Sequence, residues 1–476
     1  MKRYLMTTLA IGLFFSSCEL VEVENPNLVE DRFIGASQSS VEWTDGIRRQ
    51  MSLTVGSITE FTELVSDNYF NNYTGSSKVF DIPQINYFDQ DVANLQASIH
   101  RLMEMSEYGL AKVLPADAQS TSLQRAELLM YKAYSHILSA ELFKGMPGAA
   151  LGNVLLPTEH LRLALGLLNE SQGLYTSVED KLVCSLLKAR VNYHLGDAVK
   201  AREEATLVLQ NPILLRQVKY GTTSGPSNNF QGNIYTTGGN NPFAPLPRLD
   251  FLDPKYFNTD PVAANDQKPI AIAKAEEAFL IIAEAMVSNN ELAPAKTMLK
   301  NLLTESVAKR VVTMLNDKAE TRNGGNRKDY PLTAVKVKFD ATSPEREGYV
   351  YNRQAGNITA YSVSGTKVTA AQIDAATSQD DLLYLVYLLR QEIFIAEGRR
   401  MTDLGIRFPV SLREQLGNKN VTTEHTQTVM PSFIPKDRGM DDFDFNTVTG
   451  VVTMKYDMNK VLVQNKTAVE IMPFIK

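Results

Sequence analysis

Aromatic rings interleaved with amides are the first chemistry-bearing pattern in this chain. Asn68, Tyr69, Asn71, Asn72 and Tyr73 follow Ser66-Asp67 within a few residues, Tyr235 sits in a Gly/Asn/Thr-rich stretch, and Trp43 is the single tryptophan. Flat apolar rings beside amide donors and acceptors suit a ligand with C–H faces and hydroxyls, that is, a sugar. Trp43, Asn68, Tyr69, Asn72, Tyr73 and Tyr235 are therefore the candidate ligand-binding residues. Catalytic groupings are not recognisable. His100, His136, His160, His194 and His425 are scattered, without the spacing of a zinc site. Neither a nucleophile elbow nor a phosphate loop is found. Asp442, Asp444 and Asn446 alternate like calcium ligands but lack the rest of an EF-hand, so they read as a solvated turn. Asp380-Asp381 follows Ser378 and reads as a helix start rather than an acid–base pair. The expectation is a binding protein, not an enzyme, with no cofactor and no metal.

The N-terminus carries different chemistry. Lys2 and Arg3 precede a short apolar stretch, Leu5 to Phe15, which ends in Ser16-Ser17-Cys18. A basic start, an apolar run of roughly ten residues and small residues at its end read as a secretory signal over 1–17. The run is too short to cross a bilayer. Small residues before a cysteine resemble the lipobox of bacterial lipoproteins, in which that thiol is acylated, although Phe15 replaces the commoner aliphatic residue. Cys18 is thus the expected lipidation site, and acyl chains anchor without spanning. Glu19, Glu22 and Glu24 resemble surface-export signals of Bacteroidetes lipoproteins.

Positioning such residues needs a large scaffold, and the composition allows one. The chain has 476 residues, 44% hydrophobic and 21% charged, with a formal net charge of −6. That fits an ordinary globular body, here a single domain over 18–476, and offers no basic tract for nucleic acid. With Cys18 acylated, Cys184 has no partner for a disulfide, so packing must supply the stability.

Apolar spacing predicts a mainly α chain. A helix is expected from Ser120 to Lys144, on the stripe Ala126, Leu129, Met130, Ala133, Ile137, Ala140 and Leu142, stopped at Gly145-Met146-Pro147. Asp180–Leu195 and Asp197–Gln210, joined at Gly196, form a tetratricopeptide-like hairpin, with Ala189, Ala198, Ala201 and Ala205 allowing close approach. Ile270–Val287 and Glu291–Leu303 repeat the scheme around Ser288-Asn289-Asn290, and Asp380–Thr402 is the last long helix. Between them run irregular stretches, Lys219–Leu252 and Asn323–Ser364, the latter strand-like around Ala334–Phe339. Long loops rich in aromatics are functional rather than disordered, so a helical-repeat scaffold should pack against a loop-rich, partly β half that carries the ligand.

These residues, in this order, resemble SusD/RagB-type nutrient-binding outer-membrane lipoproteins. Val21-Glu22-Val23-Glu24-Asn25-Pro26-Asn27 resembles the family's mature start. The helix from Glu127 to Phe143 with Lys144-Gly145-Met146-Pro147, then Pro247-Arg248-Leu249-Asp250, Pro254-Lys255-Tyr256-Phe257 and Ala275–Ala285, resemble further family stretches. Arg390-Gln391-Glu392, Glu397-Gly398-Arg399-Arg400 and Asp403-Leu404 resemble the C-terminal EGxRxxDL signature. Arg399 and Arg400 are spaced to pair with Glu397 and Asp403 within that helix, which gives the signature a scaffold role. The resemblance implies a SusD-like α superhelix of tetratricopeptide-like units with a ligand-binding half. It also implies a SusC-like TonB-dependent transporter as partner, over which the lipoprotein closes as a lid. The ligand it implies is an oligosaccharide or, in some members, a peptide. The expected location is the cell surface, lipid-anchored in the outer membrane.

Overall fold

The computed structural model describes residues 34–475 apart from 35, 73–77, 222–224, 236–240, 261–264, 321–326, 328 and 437–438. The lipidation site Cys18 and the candidate Tyr73 lie outside these residues.

Helices dominate. Those that build the scaffold and the site are, in chain order, α1 (Ser39–Val65), α2 (Gln90–Tyr108), α3 (Ser122–Leu142), α4 (Pro157–Leu174), α5 (Val178–His194), α6 (Ala198–Val208), α7 (Asn229–Ile234), α8 (Ala275–Ser288), α9 (Leu292–Asn301), α10 (Gln379–Ile393), α11 (Arg400–Asp403) and α12 (Met458–Gln464). The pairs α1/α2, α3/α4, α5/α6 and α8/α9 each pack together, and α2/α3, α4/α5 and α6/α8 join one pair to the next. Local sequence fixes the ends. Thr121 and Gln124 form a capping box at the start of α3. Gly196 turns the α5–α6 connection at φ +74° and the Asp197 side chain accepts from Lys200 N at 3.0 Å. Ala189, Ala201 and Ala205 are fully buried where these helices meet. Ser378 caps α10 by accepting from Asp381 N at 3.1 Å, so Asp380-Asp381 is a helix start.

Two expected helices are interrupted. Residues 270–274 form a strand, β4, antiparallel to β2 (Leu215–Val218), and the helix begins only at Ala275. Ile-Ala-Ile-Ala-Lys fits either period, and the available strand partner decides. The helix expected to reach Thr402 ends at Ile393, because Ala396 (φ +60°) and Gly398 (φ +71°) leave the right-handed region before α11 resumes.

That break sets the geometry of the 390–404 signature. A Cβ on Gly398 would lie 3.1 Å from both Ile58 Cγ2 and Thr62 Oγ1 of α1, and left-handed backbone costs other residues about 1–2 kcal/mol. Gly398 N donates to Glu63 Oε1 at 3.0 Å. The charged residues pair with distant elements rather than within their own helix. Arg390 holds Asp403 (2.6 Å), Arg399 holds Glu277 (2.9 Å), Arg400 holds Asp67 (2.6 Å) and Glu397 takes Lys274 (2.7 Å). The expected i,i+3 and i,i+4 pairs do not form, because a helix broken at Gly398 turns these side chains inward.

The remaining half is loop-rich with small sheets. β1 (Tyr69–Asn71) pairs antiparallel with β3 (Phe243–Pro245), and β5 (Val312–Asn316) with β7 (Asn357–Tyr361). β6 (Lys336–Lys338) runs parallel to β9 (Val451–Met454), which also pairs with β8 (Phe443–Asn446). The expected turn at Asp442, Asp444 and Asn446 is instead the entry and body of β8: Asp444 pairs with Thr453 and Asn446 with Val451, Asp442 meets Lys455 at 3.1 Å, and only the following residues turn, where Asn446 accepts from Val448 N and Thr449 N. Among the described residues no cluster of three metal-ligating side chains occurs, and no helix is long and apolar enough to cross a membrane. One continuous apolar core, from Ile47 to Met472, joins the repeats to the loop half.

Candidate functional site

Strands β1 and β3 bring the two expected ligand-binding segments together. Tyr69 lies opposite Pro245, Asn71 opposite Phe243, and Asn72 continues the contact by donating from Nδ2 to Asn241 O at 3.3 Å. The side chains themselves, however, hold the fold. Asn68 is fully buried, donating to Glu63 Oε2 at 2.8 Å and accepting from Gln391 Nε2 at 2.9 Å. Tyr69 is buried, edge-on to Phe230, with its hydroxyl donating to Asp253 Oδ1 at 3.3 Å. Asn72 is also buried. Asp67, at the head of this cluster, is an interior anion. Arg400 Nε (2.6 Å) donates to its Oδ1, while Arg248 Nη2 (2.9 Å) and Gln391 Nε2 (2.8 Å) donate to its Oδ2. Burial, the strongest single influence, pushes its pKa up, but Arg400 and Arg248 together hold it well below the usual carboxylate range.

Trp43 is likewise structural. Its Nε1 donates to Met105 O at 3.0 Å and its ring leans on Tyr108. The close approach is permitted by Gly109, where a Cβ would come within 2.6 Å of the indole nitrogen. Seventeen residues of α1 separate Trp43 from Glu60, about 25 Å at 1.5 Å per residue, so the ring is remote from the hollow described next.

Tyr235 does border a hollow, a groove of about 440 Å³ around α7. Its ring face is taken: it stacks on Phe257 at 4.8 Å and only 5% of its surface is exposed. The groove's chemistry comes from amides and one carboxyl. Asn228 caps α7, accepting from Gln231 N at 3.0 Å and donating to Lys268 O at 2.8 Å. Gln231 fastens the helix to the 258–268 segment through Asn258 Oδ1 (3.0 Å), Asp266 O (2.8 Å) and Lys268 N (2.8 Å). This leaves Asn229 exposed on the groove wall and Asn233 partly so. Asn233 Nδ2 donates to Glu60 Oε1 at 3.0 Å. Burial, then the nearby charge of Asp91, raises the Glu60 pKa to about 7. A Cβ built on Gly232 meets nothing within 4 Å, so that position opens onto free space.

Amides both donate and accept, and a carboxyl that titrates near neutrality does so too. Hydroxyls also do both, so the groove matches a polyhydroxylated ligand. Glu60, Asn229, Asn233 and Gln267 were not among the candidates. A sequence signal existed for the amides in Ser227-Asn228-Asn229-Phe230-Gln231-Gly232-Asn233, dense in side-chain amides. For Glu60, on a helix whose inward face is largely polar, no signal was available.

No family model matches this chain, and no curated protein matches it by sequence. Solved structures do. A SusD-like protein from Bacteroides fragilis aligns over 83% of this chain and 98% of its own, with a TM-score of 0.54 and 10% identity. A SusD-like carbohydrate binding protein from Bacteroides vulgatus aligns over 92% and 96%, with a TM-score of 0.52 and 11% identity. A SusD superfamily protein from Bacteroides fragilis aligns over 82% and 99%, with a TM-score of 0.51 and 13% identity.

Proposed function

Starting from a chain that has the SusD-like fold, we propose that it is a nutrient-binding lipoprotein of the cell surface. It captures an oligosaccharide in the groove around α7 and delivers it to a SusC-like TonB-dependent outer-membrane transporter. The observation that carries the reading is the groove wall. Asn229, Asn233 and the Glu60 carboxyl face one hollow, and none of them belongs to the buried network that holds the scaffold. Polar groups aimed into a concave site are what hydroxyl recognition requires. With the Tyr235 ring face covered, affinity comes from hydrogen bonds, each worth about 0.5–1.5 kcal/mol net.

Gly232→Trp tests the groove. The new side chain enters open space, so the fold is retained while the hollow is filled. Oligosaccharide binding by calorimetry should fall by ten-fold or more, the equivalent of about 1.4 kcal/mol. Unchanged affinity in a normally folded variant would remove the groove from consideration.

The anchor rests on Ser16-Ser17-Cys18 at the end of the apolar stretch. Cys18→Ala should move the protein out of the membrane pellet or leave an uncleaved precursor. Unchanged fractionation and unchanged N-terminal mass would count against lipidation.

A further inference from the structure

The segment from Lys219 to Tyr235 borders a second, larger hollow. This cleft, of about 760 Å³, lies between α1, α3, β2 and that segment. Pro226 lines the cleft and the next residue, Ser227, lines the amide groove. On α1, Ser52 lines the cleft and Glu60 the groove, eight residues or about 12 Å apart along the helix. Tyr220 fastens the segment to α1 by donating from its hydroxyl to Ser52 O at 2.9 Å. The two hollows therefore follow one another along the same pair of elements.

Their chemistry differs. The carboxylates of the cleft are already engaged. Arg48 holds Glu127 through two bonds of 2.7 and 2.6 Å and Asp45 through one of 2.7 Å, and Arg216 holds Asp180. Tyr131 adds a hydrogen bond to Glu127 at 2.8 Å. Arg49 and Lys219 also line the cleft, both exposed, and neither has an ion-pair partner among the described residues. The lining thus carries four cations against three carboxylates, a net charge of +1, and two of the cations, Arg49 and Lys219, are free to meet a ligand.

We propose that the ligand is an acidic oligosaccharide. Its hydroxyl-rich part lies in the amide groove, and an anionic group is held by Arg49 and Lys219, Arg49 standing eleven residues or about 16 Å from Glu60 along α1. The proposal rests on the oligosaccharide reading of the groove and adds the charge of the sugar. Carboxylates of uronate units and sulfate esters share the required chemistry, a compact anion accepting charge-assisted hydrogen bonds.

The test is an array of neutral, uronate-bearing and sulfated oligosaccharides, probed with the full soluble chain and with the Arg49→Ala, Lys219→Ala double variant. The sugars bound should be acidic, and which acidic arm binds identifies the anion. Esterifying or reducing the carboxylates, or removing the sulfates, should weaken binding roughly ten-fold or more. The double variant should lose the same factor, and raised salt should shrink the difference. Both side chains are exposed, so folding is not at stake. Binding only to neutral sugars, or affinity for acidic ones unchanged in the double variant, would overturn the proposal. Binding to no sugar at all would overturn the oligosaccharide reading instead.

Discussion

Asp67→Ala is expected to destabilise the protein by about 3–5 kcal/mol, enough to leave a marginal domain unfolded at 37 °C. The arithmetic lies in what the substitution leaves behind. Arg248 and Arg400 are each 1% exposed at the side chain, and Asp67 receives both, together with Gln391 Nε2. Removing the carboxylate strands two guanidiniums in the interior, left with Asp457 at 3.6 Å and the Gln391 amide oxygen for Arg248 and with Asn459 at 2.9 Å for Arg400. Denaturant unfolding of the wild type and variant measures the loss. A difference under about 1 kcal/mol would mean that the network is not the keystone its geometry indicates.

Glu284→Gln is expected to act in the opposite direction, and only at higher pH. Glu284 is fully buried on α8, accepting from the Tyr193 hydroxyl at 2.9 Å and the Tyr387 hydroxyl at 3.4 Å. Burial raises its pKa from 4.5 to about 7 against the pull of Arg390. A carboxyl that holds its proton more tightly in the fold stabilises fully below pH 4.5, and that contribution is lost as pH rises through about 7. Gln keeps an acceptor for the tyrosines without the charge. The variant should match the wild type near pH 4.5 and exceed it by on the order of 3 kcal/mol at pH 8. The difference between the two proteins is the readout, not the profile of either. Glu60 and Glu63 shift the same way, while burial holds His100, His136, His160 and His194 below their usual range and gives the opposite slope on the acid side. A difference independent of pH would show that folding does not shift the Glu284 pKa.

The repeat helices were legible because their signals are local. The stripe of α3, the Gly196-Asp197 turn between α5 and α6 and the cap at Ser378 each need only neighbouring residues to act. Helix α1 escaped notice because its buried face includes Ser40, Thr44, Thr54, Thr59 and Thr62, polar residues that satisfy themselves through contacts such as Thr62 Oγ1 to Ile58 O at 2.7 Å. A polar buried face leaves little apolar period to read. The site was legible as two segments but not as roles. Asn and Tyr beside Asp67 look the same in sequence whether they face a ligand or interior partners. Only the positions of Gln391, Asp253 and Asn241, far along the chain, decide between these. Hence Asn68, Tyr69 and Asn72 turned inward, and the exposed amides appeared on α7 instead.

The Asp67 network also imposes an order of events. Asp67 meets Arg248 from mid-chain, Gln391 and Arg400 from the signature, and through them Asn459, which donates to Gln391 Oε1 and accepts from Arg400. Partners this distant in sequence make for slow, late assembly. While the chain is being made, α3 to α6 can close on one another, but α1 cannot settle its Asp67 end until residue 459 has emerged. Until then two arginines and an aspartate of the future interior stay in water, so the half-made protein remains open at that end and exposed to whatever meets nascent chains.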